Sequence, residues 1–151
     1  MNRLRRKLYG WVFLVLAGMG AYVLWPTEEQ RIERSLHGLA RALEEKKVND
    51  VISFLSFNYS DNHGARYLLV KKQLERSLPE YSDIRVELEP ASIVVSQNTA
   101  QVRTGIRVSA VHGFDMGYFV GDFDHPAPVA LVMEKHPPGK WLVLKAVYEF
   151  Q

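Results

Sequence analysis

Side chains that can take part in acid–base or metal chemistry are concentrated in two short stretches of the sequence. The first, residues 58–64, contains Tyr59, Asp61 and His63. The second, residues 113–126, contains Asp115, Asp122, Asp124 and His125. A carboxylate can act as a general base when its surroundings shift its pKa, and carboxylate and imidazole groups also bind metal ions. Any chemistry of this chain should therefore be sought in these two stretches.

A metal site is the first possibility, because Asp122, Asp124 and His125 lie within four consecutive residues. Ligands so close in sequence rarely reach one ion, and aspartates in loops more often hold turns. The chain has no cysteine, which excludes disulfides, thiol catalysis and zinc–thiolate sites. We predict no metal and no cofactor.

The second stretch is also rich in aromatic and glycine residues. It is too long for a tight hairpin and too apolar for a solvated linker. We interpret it as a flap that covers a sheet or as a surface that contacts a partner or ligand. The contact residues predicted here are Phe114, Tyr118, Phe119, Asp122, Phe123 and His125.

The N-terminus has the pattern of a membrane anchor. Residues 1–7 form a basic flank, residues 8–25 contain no charged side chain, and a charged stretch follows Pro26. An apolar run of this length is near the lower limit for a helix that spans a bilayer. Because an excess of Lys and Arg marks the cytoplasmic side, we expect the N-terminus inside and residues 27–151 in the periplasm or outside the cell. The predicted anchor residues are Arg3, Arg5, Arg6, Lys7, Trp11 and Trp25.

Two alternatives to a spanning anchor remain open. A cleaved signal peptide would leave a soluble exported domain, although apolar residues 22–25 follow the small residues at which a peptidase would cut. A buried helix of a soluble protein is the other. If the segment spans the membrane, Ala17 and Ala21 form a small-xxx-small pair of the kind that packs two such helices together. A homodimer is therefore one possible partnership, beside a separate protein partner.

Charge gives no reason to expect nucleic-acid binding. The formal net charge is +2, and residues 1–7 alone carry four basic residues and no acid, so the rest of the chain has a net charge of −2. The pI of about 8.9 therefore reflects mostly the N-terminal flank. We therefore predict no nucleic-acid partner for the outer domain.

The pattern of apolar residues predicts helices first and strands afterwards. Thr27 and Gln30 form a capping box at the start of the first helix, a second helix is expected over about 49–57, and a third over about 65–78. From Ile84 onward the period changes from 3.6 to 2. The predicted strands begin near residues 84, 92, 100, 129 and 141. This order is typical of an α+β fold in which helices pack on a curved antiparallel sheet, giving a cone-like shape.

The order of elements resembles the nuclear transport factor 2-like superfamily, also called the cystatin-like α+β cone. Residues 58–64 are similar to the Tyr-x-Asp-x-x-Gly turn that precedes the third helix in that superfamily. Gly139-Lys140-Trp141-Leu142-Val143 is similar to its closing strand, and the resemblance covers about residues 28–151. The superfamily includes isomerases and dehydratases as well as non-catalytic scaffolds, so the resemblance implies a fold and leaves the function open.

Enzymes of that superfamily place an Asp or His and a Tyr inside the cone, which makes Tyr59, Asp61 and Asp115 the candidate catalytic residues. The structural alternative for the first two is that the tyrosine packs and the aspartate caps the third helix. The strands that would line the cone carry apolar residues, with Thr104 as the exception, whereas a catalytic pocket needs converging polar groups. We therefore predict a single-pass membrane protein whose outer domain binds or scaffolds without catalysis. The alternative is a membrane-tethered enzyme, isomerase-like or dehydratase-like, that uses the cone cavity.

Overall fold

The computed structural model describes residues 25–149 together with residue 15. The basic flank and nearly all of the predicted anchor, including Trp11, lie outside the described residues. Trp25 is described and is 70% exposed. Within the part of the chain that the structure describes, no helix is both long enough and apolar enough to cross a membrane.

Three helices and seven strands follow one another within residues 25–149. The helices are α1 (Glu28–Glu44), α2 (Val48–Ser53) and α3 (Tyr67–Ser77), and a 3₁₀ turn (Leu78–Glu80) follows α3. The strands are β1 (Leu55–Asp61), β2 (Tyr81–Leu88), β3 (Ser92–Ser96), β4 (Thr99–His112), β5 (Asp115–Val120), β6 (Ala127–His136) and β7 (Lys140–Tyr148). This is the predicted α+β class.

The first helix begins where the sequence predicts. The hydroxyl of Thr27 accepts a hydrogen bond from the backbone N–H of Gln30 at 3.2 Å, and the side chain of Gln30 accepts one from the N–H of Thr27 at 3.2 Å. This reciprocal pair satisfies two backbone donors that a helix start would otherwise leave unpaired. Ile32 and Leu36 then direct the apolar face of α1 into the core.

The strands form one curled sheet in the order β1-β7-β6-β4-β2. The long strand β4 connects its two ends: β3 and β6 flank its first half, and β2 and β5 flank its second half. Helices α1 and α2 pack on the concave face. Apolar side chains fill the space between the two layers, among them Ile32, Val102, Met133 and Trp141, each nearly or fully buried.

The prediction of an antiparallel sheet is wrong at one edge. β1 pairs in parallel with β7, so the sheet is mixed. The sequence predicts that residues 55–57 end a helix and that residues 58–64 form a loop. These residues instead form β1, with Leu55, Ser56, Tyr59 and Asp61 buried and Phe57 exposed, and the pairing of β1 with β7 shifts register between Leu55 and Ser60. In the sequence, the polar residues of this stretch are typical of a turn. They form a strand because they pair with β7, which lies far along the chain.

Simple alternation predicts that Leu142, Leu144, Ala146 and Tyr148 share one face of the last strand, and a bulge interrupts this alternation. Met133 pairs with Val143 whereas Val132 pairs with Lys145, so Leu144 is an extra residue in β7. Such a bulge reverses which side chains face inward. Trp141 and Val143 are therefore buried before the bulge, and Ala146 after it.

Residues 113–126 form a hairpin turn, a strand and a short loop, and not a flap that covers the sheet. Gly113 and Phe114 form a two-residue turn between β4 and β5, and Gly113 has φ +65°. A positive φ at the first turn position is typical of the turns that suit a twisted hairpin. β5 is therefore a regular strand over most of its length, and residues 121–126 form a short loop between β5 and β6.

Candidate functional site

Asp61, one of the candidate catalytic residues, lies buried at the end of β1. Its Oδ2 atom accepts a hydrogen bond from the hydroxyl of Tyr148 at 2.7 Å. Its Oδ1 atom accepts from the backbone N–H groups of His63 at 2.9 Å and Ala65 at 2.8 Å. The carboxylate thus fastens the loop before α3 to the end of β7.

The electrostatics of this cluster do not suit acid–base catalysis near neutral pH. Burial disfavours the charged form of Asp61, but the hydrogen bonds from Tyr148, Ala65 and His63 outweigh it and lower the pKa of the carboxyl group. Burial, aided by the charge of Asp61, raises the pKa of Tyr59 to about 12, and burial and the bond to Asp61 also raise the pKa of Tyr148. A carboxylate with a lowered pKa is a weak base, and phenols with raised pKa values hold their protons.

Neighbouring residues reinforce the same connection. The amide of Asn62 donates to the carbonyl of Tyr148 at 2.9 Å and accepts from its N–H at 3.2 Å. The ring of His63 packs against the ring of Tyr148 with centroids 4.9 Å apart. Asp61 and its neighbours therefore act as a clamp between residues 61–65 and β7. The predicted helix cap is wrong, because both backbone N–H groups that donate to Asp61 precede α3, whose start has no side-chain cap.

Asp115, the third candidate, is remote from this cluster. It is exposed at the start of β5, opposite His112. The sheet register places Asp61 level with Val102 of β4, through Ala146 and Leu131. His112 is ten residues further along that strand, or roughly 30 Å in an extended chain. The structure therefore does not combine Asp61 and Asp115 in one site.

Four of the six predicted contact residues line one cleft of about 590 Å³: Tyr118, Phe119, Asp122 and His125. The cleft lies between the end of β5, the following loop, the start of β6 and Glu149. The other two predicted residues are exposed on the same stretch of chain, Phe114 completely and Phe123 to 77%. We call residues 114–123 the aromatic segment.

The loop after β5 is held by hydrogen bonds of its own. The Oδ1 atom of Asp122 accepts from the backbone N–H groups of Asp124 at 2.9 Å and His125 at 2.6 Å, and lies 3.3 Å from the His125 ring. The bond from the His125 N–H is the largest of the effects that lower the pKa of Asp122. From β4, Arg107 donates to the backbone carbonyl of Asp122 at 3.1 Å. Asp122 thus serves as a turn residue.

Across the described residues, no three His, Asp or Glu side chains come together as a possible metal site. The hydrogen bonds of Asp122 are directed to its own loop, as expected for an aspartate that holds a turn.

Comparison with solved structures identifies the fold. A candidate scytalone dehydratase from Novosphingobium aromaticivorans superposes with a TM-score of 0.69 and 16% identity, over 82% of this chain and 84% of that chain. A candidate aromatic ring hydroxylase from the same organism gives a TM-score of 0.66 and 11% identity, over 83% and 92%. A nuclear transport factor 2-like protein with a cystatin-like fold, again from that organism, gives 0.64 and 12%, over 89% and 87%.

This chain therefore has the nuclear transport factor 2-like, or cystatin-like, α+β fold. At identities this low the similarity concerns the fold and does not transfer an activity. No family model and no curated protein matches the sequence.

Sequence reasoning missed the partners of the candidate residues. Tyr148 lies 87 positions from Asp61, and the alternation of β7 was the only signal that placed it on an inner face. From the sequence, Glu28 is predicted only to lie at the start of the first helix. Its carboxylate accepts from Trp141 Nε1 and from Lys135 Nζ, each at 2.8 Å, and so joins the start of α1 to the β6–β7 hairpin.

Proposed function

We propose that this chain is a single-pass membrane protein whose outer domain binds a protein partner and performs no catalysis of its own. The aromatic segment is the observation that carries the proposal. Within ten residues it exposes Phe114, Met116, Tyr118, Phe119 and Phe123. Exposed apolar side chains grouped in this way mark interaction surfaces, and aromatic residues and Met are enriched in protein interfaces.

The position of the aromatic segment favours a protein over a lipid as its partner. The N-terminal segment enters the domain at Glu28, beside Lys135 and Trp141. The backbone N–H of Lys135 donates to the carbonyl of Asn98, which immediately precedes β4. The hairpin turn at Phe114 follows the other end of β4, thirteen residues later, or roughly 40 Å in an extended strand. If residues 8–25 span the membrane, the aromatic segment projects away from it.

Site-specific photo-crosslinking in native membranes tests the proposal. A photoreactive side chain at position 114 should yield an adduct with one defined protein. The matched control is position 94 on β3, where Val94 is 63% exposed and lies outside the aromatic segment. An adduct of twice the mass of the chain would identify a homodimer as the partnership. Equal labelling from both positions, or none from position 114, would contradict the proposal.

The membrane anchor needs a separate test. The expected result is that the full chain stays with the membrane after alkaline carbonate extraction and that external protease removes residues 27–151. Intact mass distinguishes the alternatives, because signal-peptide cleavage would remove the residues up to about position 21. A mature chain of that smaller mass would replace the anchored protein with a soluble exported domain.

A membrane-tethered enzyme is the second candidate function. The contact between Asp61 and Tyr148 favours it, as do the enzyme names of two structurally similar proteins. The lowered pKa of Asp61 and the apolar filling of the concave face argue against it. A thermal-shift screen with small carbonyl and hydroxy compounds tests it: a ligand whose stabilisation disappears in Asp61→Asn would favour the enzyme.

A further inference from the structure

We propose that the partner adds an extended, basic segment as a new strand along the free edge of β5. The inference rests on the proposed function and specifies how the aromatic segment binds. It identifies the partner by its chemistry: backbone groups for the strand edge, apolar side chains for the aromatic surface, and Lys or Arg for an acidic rim.

The backbone groups of β5 form the first part of the proposed strand-binding site. Among the strands of residues 25–149, β5 pairs with β4 alone. The register pairs Asp115 with His112 across the two-residue turn, which makes them a hydrogen-bonded pair. Since antiparallel pairing alternates, the N–H and C=O groups of Met116 and Tyr118 then face away from β4. Those groups are a template for another strand.

Edge strands of this kind are usually protected by lysines, prolines or bulges. β5 contains no Lys and no Pro, and its single charged residue is Asp115 at the start. A change of register between Val108 and Ser109 leaves Phe119 as an extra residue. The regular edge therefore spans Asp115–Tyr118, which is long enough for a short strand to dock.

Among the described residues, nothing is paired with the outer edge of β5, so the sheet there has space for an added strand. β5 and β6 both pair with the same edge of β4, one after the other, and β7 covers the outer edge of β6. β7 pairs up to Tyr148, opposite Val129, near the start of β6. A strand added to β5 would continue the line of β7, and the cleft of about 590 Å³ between Tyr118 and Glu149 lies at this junction.

The charged side chains around the cleft favour a basic partner. Asp122, Asp124 and Glu149 are exposed around the cleft. Arg107, which donates to the carbonyl of Asp122, lies 3.7 Å from Glu87 and 3.5 Å from Glu89. The rim therefore presents carboxylates to solvent, and Lys or Arg side chains of an arriving segment would meet charges of opposite sign.

The test uses the full chain in detergent micelles and a fluorescent peptide of about six residues, a typical strand length, that alternates Val and Lys. Anisotropy should show binding that weakens with salt and disappears when Glu replaces Lys in the peptide. Methylation of alternate backbone nitrogens should abolish binding in one register and spare it in the other. Met116→Lys should weaken binding about tenfold or more, because an edge lysine blocks strand addition and repels the peptide. Val94→Lys is the matched control and should bind as the wild type does.

Hydrogen exchange gives the direct structural readout. Peptide binding should slow exchange at the amides of Met116 and Tyr118 by about tenfold or more, and should leave Asp115 and Gly117, which already face β4, nearly unchanged. Uniform protection of all four amides, insensitivity to backbone methylation, or no binding of the basic peptide would overturn the inference. If crosslinking from position 114 still identified a partner, the proposed function would stand and strand addition alone would be wrong.

Discussion

Replacing Trp141 by alanine should be among the most destabilising single changes in this domain. The side chain is fully buried between α1 and the sheet, and its Nε1 atom donates to Glu28 at 2.8 Å. Burying about 200 Å² of aromatic surface at about 25 cal/mol/Å² gives about 5 kcal/mol, an upper value because unfolded chains are partly compact. Large aromatic-to-alanine changes in cores cost about 3–5 kcal/mol. We expect a loss in that range, since Glu28 is partly exposed and water can replace the lost donor.

Urea unfolding of the full chain in detergent, followed by circular dichroism, measures this loss. Trp141→Phe keeps most of the apolar volume and removes the Nε1–H donor, so it should cost about 1–2 kcal/mol. Trp25→Ala is the control at an exposed tryptophan and should change the free energy of unfolding by less than about 0.5 kcal/mol. A loss below about 1 kcal/mol for Trp141→Ala would refute the assignment of this residue to the core.

Three further predictions address the capping box, the clamp and the loop after β5. Thr27→Ala should cost about 1 kcal/mol in urea unfolding, with Thr27→Ser close to wild type, because the hydroxyl caps α1; equal losses would contradict the cap. Because the pKa of Asp61 is lowered in the folded protein, its charged form stabilises the fold fully above the ordinary aspartate value of about 3.9, and this contribution is lost as pH falls from that value through the lowered folded-state pKa. The melting temperature of Asp61→Asn should therefore be lower at neutral pH and approach that of the wild type in acid, and a difference that is constant with pH would contradict the clamp. Asp122→Asn combined with His125→Ala should lower stability by about 1 kcal/mol or less and keep a cooperative thermal transition; loss of that transition would show that the loop is essential for folding.

The parts of the fold that could be predicted from sequence are those determined by local residues. The capping box at Thr27 and the alternation along β4 each specify their element without reference to distant parts of the chain. β1 could not be predicted in this way, because its polar residues become a strand only by pairing with β7. The bulge at Leu144 was equally hidden, since nothing local to β7 marks which residue is extra.

The candidate site was predictable to a similar degree. The composition of residues 113–126 predicts either a flap over the sheet or a contact surface. The structure brings four of the six named residues to one cleft, and their role as contacts stays a prediction. Their arrangement as a strand with a free edge depends on the pairing of β5 with β4. The role of Asp61 also depends on a distant partner, Tyr148, whose hydroxyl helps turn a candidate base into a structural carboxylate. The anchor over residues 8–25 stays a prediction.

The central claim, that the aromatic segment binds a protein partner, is tested most directly by its affinity for the partner identified through crosslinking at position 114. The measurement compares the wild-type chain with Phe114→Ser combined with Phe123→Ser, and with Val94→Ser as control. We predict that the double variant binds at least about a hundredfold more weakly, corresponding to about 2.7 kcal/mol, while the control binds normally. Unchanged affinity of the double variant, with its fold intact, would contradict the account.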